Sequence, residues 1–105
     1  MIKHYIVHVP SIVKSDITRA VNRKREFDAY ESTILEFKEE IDKKVKLLET
    51  SPLSGANLSA RVHRLIKAKY FVIEDYLLFF EVKENHVHVM RFLSAKSNWM
   101  NKIIG

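Results

Sequence analysis

Arg91 is one of the residues of this chain whose surroundings suggest chemistry. If residues 86–93 form a strand, alternation places Arg91 on one face together with Val87, Val89 and Leu93. A cation in that position can form charge-assisted hydrogen bonds to an anionic ligand or to a carboxylate of a partner protein. It can equally pair with Glu81 on the adjacent strand, if the strand register permits. We favour the internal pair and keep Arg91 as a candidate site residue.

A second group of cations leads into a predicted strand. It consists of Arg61, Arg64, Lys67 and Lys69, with His63 among them. Such a run is usually a solvated face, but it can also be a track for phosphate groups or for an acidic peptide. His63 could act as a base, although nothing in the sequence gives it a partner. We therefore treat the four cations as candidate nucleic-acid-binding or partner-binding residues.

Two pairs of histidines lie at even spacing in predicted strands, His4 with His8 at i,i+4 and His86 with His88 at i,i+2. Each pair shares one face of a strand and could supply two metal ligands, but a metal site needs a third ligand and supporting hydrogen bonds. We favour structural or solvated histidines and predict no metal. The sequence contains no glycine-rich phosphate loop, no Ser/His/Asp constellation and no cofactor motif, so we also predict no cofactor.

Length and composition indicate one globular domain over residues 1–105. Of these residues 47% are hydrophobic, and only two are Gly and two are Pro, which is too apolar for a disordered chain. The absence of cysteine excludes disulfides and a thiol nucleophile. No signal-peptide or membrane-spanning pattern occurs, so we expect a soluble cytoplasmic protein. The formal net charge of +5 fits either a polyanionic partner, such as phosphate backbones or acidic protein segments, or a soluble domain that is basic without such a partner, and charge alone does not separate the two.

The first half of the chain predicts a strand and two helices. The strand covers residues 3–9, and Ser11 is expected to cap the next helix, with Asp16 near its positive end. Asp28 and Glu31 form a possible capping box for a second, longer helix. In both helices apolar residues recur every three or four positions, which predicts an antiparallel hairpin packed on one face of a sheet.

The second half predicts strands. After a loop over residues 51–59, segments 69–74, 76–82 and 86–93 are separated by two tight turns and form an antiparallel meander. The middle segment is apolar on both faces, as a covered central strand would be. Residues 98–104 predict a short final helix. The fold class is therefore α+β, with an N-terminal strand, a two-helix hairpin on a small antiparallel sheet and a short C-terminal helix.

The order of these elements and four local motifs resemble the RelE/ParE family of bacterial toxins. The motifs are PSIVKSDI at 10–17, SPLSGANL at 51–58, YFVIEDYLLFFEV at 70–82, and the last strand with the segment after it at 87–99. The resemblance covers nearly the whole chain. It implies a small toxin in a type II toxin–antitoxin (plasmid stabilisation) module, which a cognate antitoxin, expected to be acidic and encoded by an adjacent gene, neutralises in a hetero-oligomer.

The resemblance leaves the mechanism open, because family members that share the fold differ in their targets. RelE-like members cut mRNA in the ribosome and act as metal-independent endonucleases, with Lys and Arg, or Glu and His, on the open sheet face. ParE-like members inhibit DNA gyrase. An inactive member could serve only as a binding module.

Several residues of this chain depart from the nuclease pattern. Leu77 stands where family nucleases often carry Arg, and residues 70–73 are apolar. The segment after the last strand reads Lys96-Ser97-Asn98-Trp99, where two Arg, an acid and an aromatic are common. Lys96 and Arg91 are the candidate catalytic residues, and Trp99 either stacks on a base, contacts the antitoxin or anchors the last helix. The departures favour gyrase inhibition over RNA cleavage.

Overall fold

The computed structural model describes residues 4–27, 30–62 and 66–104. Its elements follow the order β1 (Ile6–His8), α1 (Ser11–Glu26), α2 (Glu31–Leu47), a 3-10 turn (Pro52–Ser54), β2 (Ala56–Asn57), α3 (Leu58–Val62), β3 (Lys69–Ile73), β4 (Tyr76–Lys83), β5 (His86–Ser94) and α4 (Trp99–Ile103). The predicted α+β class is confirmed, as are the helix hairpin, the meander and the short last helix. The predicted loop at 51–59 instead contains the 3-10 turn, β2 and the start of α3.

The strands form one mixed sheet in the order β1-β5-β4-β3-β2. Strands β2 to β5 pair antiparallel, whereas β1 runs parallel to β5, with Ile6 opposite His86 and His8 opposite His88. The sequence pattern alone does not show where β1 joins. The backbone N–H of Tyr5, just before β1, donates to the Glu49 carbonyl after α2 at 2.7 Å, so the helix hairpin holds the strand at this edge.

Helices α1 and α2 cover one face of the sheet. Their periodic apolar residues are buried as predicted, among them Val13 and Ala20 on α1 and Phe37 on α2. The Phe37 ring centroid lies 5.6 Å from that of Tyr76 and 6.2 Å from that of Phe92 on the sheet. This cluster is the larger of two cores, and burial of its apolar surface is the main force that holds the hairpin to the sheet.

The opposite face of the sheet carries a second, smaller core. It contains Leu58, Ala68, Leu77, Phe79, Leu93 and Trp99. Strand β4 contributes to both cores, and its first five residues, 76–80, are all buried. The prediction of a central strand that is apolar on both faces is therefore confirmed. None of the helices in the described ranges is long and apolar enough to span a membrane.

Strand β5 changes face part-way along its length. A register shift pairs Phe79 with Arg91 but Phe80 with Val89, so Met90 is an extra residue on β5. As a result Val89 joins the helix-side core and Leu93 joins the opposite core. The predicted common face for Val89, Arg91 and Leu93 is wrong, because strict alternation fails at a bulge.

The predicted helix starts also need correction. Pro10 is the residue before α1 and Ser11 is its first residue, with no side-chain capping hydrogen bond, so Ser11 is not the cap. Helix α2 begins at Glu31 after Tyr30, again with no side-chain capping bond, while Asp28 lies outside the described residues. The predicted turns are present, and Glu74 and Glu84 adopt φ of 54° and 57° there, as tight hairpin turns require.

Gly55 packs directly beneath β4, and we predict that Gly55→Ala destabilises the protein. A Cβ at this position would lie 2.5 Å from Cζ of Phe80, a fully buried ring. Because the ring must shift within a packed core, the expected loss in free energy of unfolding is about 1–3 kcal/mol. Urea denaturation measures it.

The neighbouring exposed residue provides the control. Leu53→Ala should change the free energy of unfolding by less than about 0.5 kcal/mol, because Leu53 is 64% exposed. Adding Phe80→Leu to Gly55→Ala should give less destabilisation than the sum of the two single changes. Fully additive losses would mean that the contact between Gly55 and Phe80 is not the cause.

Candidate functional site

Arg91 is held by Asp16 of α1 in a two-pronged ion pair. Its Nε donates to Oδ2 of Asp16 at 2.8 Å, and its Nη2 donates to Oδ1 at 2.9 Å. The backbone N–H of Phe92 donates to Oδ2 at 3.1 Å. The Asp16 side chain is 1% exposed and that of Arg91 is 20% exposed. Both carboxylate oxygens are thus satisfied inside the protein, and Glu81, which lies opposite His88 in the strand register, is not the partner of Arg91.

The surroundings of Asp16 favour its charged form. Burial alone would raise the pKa of this carboxyl, but the hydrogen bonds from Arg91 and from the Phe92 N–H, with the charges of Arg91 and Arg19, hold the pKa below its usual 3.8. The pKa of Arg91 is raised, chiefly by its hydrogen bond to Asp16. The pair is therefore fully ionised at neutral pH.

Sequence reasoning placed Asp16 near the helix start and missed this role. The signal was present, because Asp16 follows Val13 by three residues and precedes Ala20 by four, which puts it on the buried face of α1. An acid on such a face needs a cationic partner. Which cation provides it depends on contacts between residues 75 positions apart, which periodicity does not reveal.

Trp99 and Arg61 meet on the face of the sheet opposite the helix hairpin. The Trp99 ring lies 5.3 Å from that of Phe79, and the indole is 7% exposed. The guanidinium of Arg61 lies 5.7 Å from the Trp99 ring centroid and 5.6 Å from that of Tyr70. Trp99 thus anchors α4 to the sheet, and Arg61 covers both aromatic rings from the solvent side.

The other predicted cations of this group separate in space. Lys69 donates to the side-chain oxygen of Asn57 at 2.8 Å, across the β2–β3 pair. Lys67 is exposed just before β3. Arg64 and His63 lie outside the described residues. Among the residues that the structure describes, the group therefore offers two exposed cations, Arg61 and Lys67.

Lys96 is exposed in the turn between β5 and α4. Its backbone N–H donates to the Ser94 hydroxyl at 3.2 Å, which fixes the turn. Its side chain lines a cleft together with Arg23 and Lys24 from the end of α1. Arg91 does not line this cleft, so the structure does not bring the two candidate catalytic residues together.

The parallel pairing of β1 with β5 brings one histidine of the first predicted pair, His8, against both histidines of the second pair. The His8 ring stacks on His88 and His86 with centroids 4.6 and 5.1 Å apart. Nε2 of His8 lies 2.9 Å from Nδ1 of His86, so one ring donates a hydrogen bond to the other. Within the described ranges, no three His, Cys, Asp or Glu side chains are arranged to hold a metal ion.

Comparison with known protein families gives one match over most of this fold. The family of the ParE toxin of type II toxin–antitoxin system, parDE, matches residues 13–99. The chain belongs to this toxin family. No curated protein matches it closely.

Membership confirms the resemblance to RelE/ParE toxins and implies an antitoxin as partner. The matched segment runs from the first turn of α1 to the first residue of α4 and contains Asp16, Arg91, Lys96 and Trp99. The ion pair and both cores thus fall within the part of the chain that the family describes.

The Asp16–Arg91 pair generates a stability prediction. Asp16→Asn should lower the free energy of unfolding by about 3 kcal/mol, because it removes a buried charge and leaves Arg91 without its partner. A double-mutant cycle with Arg91→Gln, measured by urea denaturation, should give a coupling energy of about 1–3 kcal/mol. Arg19→Gln is the matched control, since Arg19 also faces Asp16 at 3.6 Å but is 71% exposed, and should cost less than about 1 kcal/mol. Equal losses for Arg19→Gln and Arg91→Gln would contradict this assignment.

The same pair predicts a pH dependence. Because the pKa of Asp16 is lower in the folded than in the unfolded state, protons bind the unfolded state more readily as the pH falls. The contribution of Asp16 is therefore complete above pH 3.8 and is lost as the pH falls through the folded pKa. The difference in unfolding free energy between the wild type and Asp16→Asn should shrink below that pH. A difference that stays constant from pH 5 to pH 2.5 would refute the prediction.

Proposed function

We propose that this protein is the toxin of a plasmid-stabilising module and that it arrests growth by inhibiting DNA gyrase. Gyrase inhibition is the action that its resemblance to ParE-like toxins implies. In this proposal it works in the cytoplasm and is silenced in a hetero-oligomer by an acidic antitoxin. The antitoxin contact is assigned to two exposed cations, Arg61, which lies against Trp99, and Lys67.

The observation that carries the proposal is the packing of the sheet face opposite the hairpin. RNA-cleaving relatives place cations on this open face. Here Leu77, Phe79 and Leu93 occupy it and are at most 6% exposed. Cleavage of RNA requires a base for the 2′-hydroxyl, positive charge for the phosphorane and an acid for the leaving oxygen. An apolar core offers none of these groups.

The polar residues at the rim of this face do not replace a catalytic set. The guanidinium of Arg61 lies over the rings of Tyr70 and Trp99, and Lys69 donates a hydrogen bond to Asn57. Trp99 stands at the aromatic position of the motif that follows the last strand, and an indole N–H does not act as a proton donor to a leaving group. Arg91 is neutralised by Asp16, and Lys96 lies in a different cleft, which Arg91 does not line. The arrangement supports binding in preference to bond cleavage.

The proposal is tested by gyrase activity in vitro. The purified full-length chain should block ATP-dependent supercoiling of a relaxed plasmid, with half-inhibition at a toxin concentration near that of the enzyme. Relaxation of the same plasmid by a type I topoisomerase, at the same toxin concentration, is the control, since a basic protein that merely coats DNA would block both reactions. Full supercoiling at a large excess of folded toxin would exclude the proposal.

Expression in cells separates this function from its two alternatives. A gyrase inhibitor should arrest growth while primer extension on translated mRNA shows no codon-phased cuts. Codon-phased cuts would identify a ribosome-dependent endonuclease instead. Normal growth with abundant folded protein would identify an inactive binding module.

A further inference from the structure

The end of α1 faces a cationic cleft that the sequence did not predict. Two adjoining cavities of about 400 and 170 Å³ lie between this helix, the β3–β4 turn and the segment after β5. They share Arg23, Tyr76 and Ser94 in their walls. We call the two cavities together the α1-end cleft.

Several cations line the α1-end cleft, and they differ in how far they are neutralised. Lys24 is paired with Glu74 at 2.9 Å, and Arg19 lies 3.6 Å from Asp16. The others are Arg23, Lys96 and Lys102, and none of these three has an ion pair with an acid in the described part of the chain. They come from three parts of the fold: α1, the turn after β5, and α4. Their convergence on the α1-end cleft is therefore a tertiary feature and not a simple run of charge.

Two carboxylates also line the cleft and must be weighed against these cations. Asp16 is already neutralised by Arg91, so only Asp75 contributes an uncompensated negative charge. Burial, and next the charge of Asp75, raises the pKa of the Tyr76 phenol, while Arg23 and Lys24 oppose that rise. Tyr76 consequently keeps its proton at neutral pH and can donate a hydrogen bond. The balance of the cleft favours an anion.

Phe27 gives the cleft a flat aromatic wall. It follows the last residue of α1, lines the larger cavity and is 74% exposed. The guanidinium carbon of Arg23 lies 5.8 Å from its ring centroid. An exposed ring beside unpaired cations is the combination with which proteins stack a nucleobase and hold the adjacent phosphate. A carboxylate side chain would use the cations but not the ring.

We propose that the α1-end cleft binds single-stranded nucleic acid, with a phosphate between Arg23 and Lys96 and a base stacked on Phe27. Lys102 extends the cationic wall towards the next phosphate. That this cleft binds the DNA segments on which gyrase acts is an inference that rests on the proposed function. Binding of single-stranded nucleic acid by the cleft does not depend on that function.

The test is binding of a fluorescein-labelled twelve-residue deoxythymidine oligonucleotide to the full-length chain, measured by fluorescence anisotropy over a salt series. Arg23→Gln with Lys96→Gln should weaken binding about tenfold at low salt. It should also reduce the slope of log affinity against log salt by about 0.7, the value for one phosphate contact on a single strand. Both side chains are exposed, so circular dichroism and thermal unfolding should match the wild type.

Lys43→Gln with Lys46→Gln is the matched control, because it removes the same charge from the exposed side of α2. It should leave both affinity and slope close to the wild type. Phe27→Ala should weaken binding of the oligonucleotide but not of an abasic strand of equal length, because only the first offers bases to the ring.

Two results would overturn the proposal. Equal weakening by the two double variants would mean that binding follows net charge and not the cleft. The second result is displacement of the oligonucleotide by hexaglutamate when the concentration of carboxylate charges is no higher than that of phosphate charges. If the Arg23 and Lys96 changes abolish this displacement, the cleft is a site for an acidic protein segment. A wild-type chain that binds through the cleft but leaves gyrase active would retain this proposal and exclude the proposed function.

Discussion

The buried carboxylate of Asp16 is the constraint on which the arrangement of this molecule depends. It binds the guanidinium of Arg91 through both of its oxygens and accepts the backbone N–H of Phe92 as well. Apolar packing alone would let a helix slide or rotate on a sheet at little cost, since contacts between hydrophobic side chains are not directional. Three hydrogen bonds to one carboxylate are directional, and they fix α1 relative to β5. Together with the apolar packing of Val13, Ala20 and Val21, this attachment places the cations in the last turns of α1.

The bulge in β5 and the ion pair lie at adjacent residues, Met90 and Arg91. Met90 is the extra residue, and Arg91 follows it at the point where the strand changes face. Beyond the bulge, Phe92 joins the helix-side core while Leu93 joins the opposite one. The strand can thus supply apolar residues to both cores while its one arginine reaches the helix. With both faces of β4 filled in this way, the centre of the sheet has no room for polar chemistry, and the accessible charged groups lie at its rim.

Sequence reasoning succeeded where the determinants are local. The repeat of apolar residues around Phe37 was sufficient for α2, and the two tight turns were sufficient for the meander. It failed where distant contacts decide. Nothing near Arg91 in sequence identifies Asp16, and alternation gave no sign of the bulge. The three basic residues at the end of α1 look alike in sequence, yet Lys24 and Arg25 are paired with Glu74 and Glu31, whereas Arg23 is turned to a cleft. Lys96 was recognised because it lies in a motif, while its neighbours in space come from other elements.

The parallel pairing of β1 with β5 has a consequence for the order in which the chain can fold during synthesis. Ile6 pairs with His86 and His8 with His88, so pairing of β1 with β5 closes a loop of roughly eighty residues. Closing this loop costs chain entropy before the contacts between the two strands can offset it. The carboxylate of Asp16 on α1 also depends on β5, because Arg91 and the Phe92 N–H that bind it belong to that strand. Until β5 has left the ribosome, therefore, neither the first strand nor the first helix has its final attachment. A chain of this topology therefore gains its final tertiary attachments only late in translation, after most of its residues have been made.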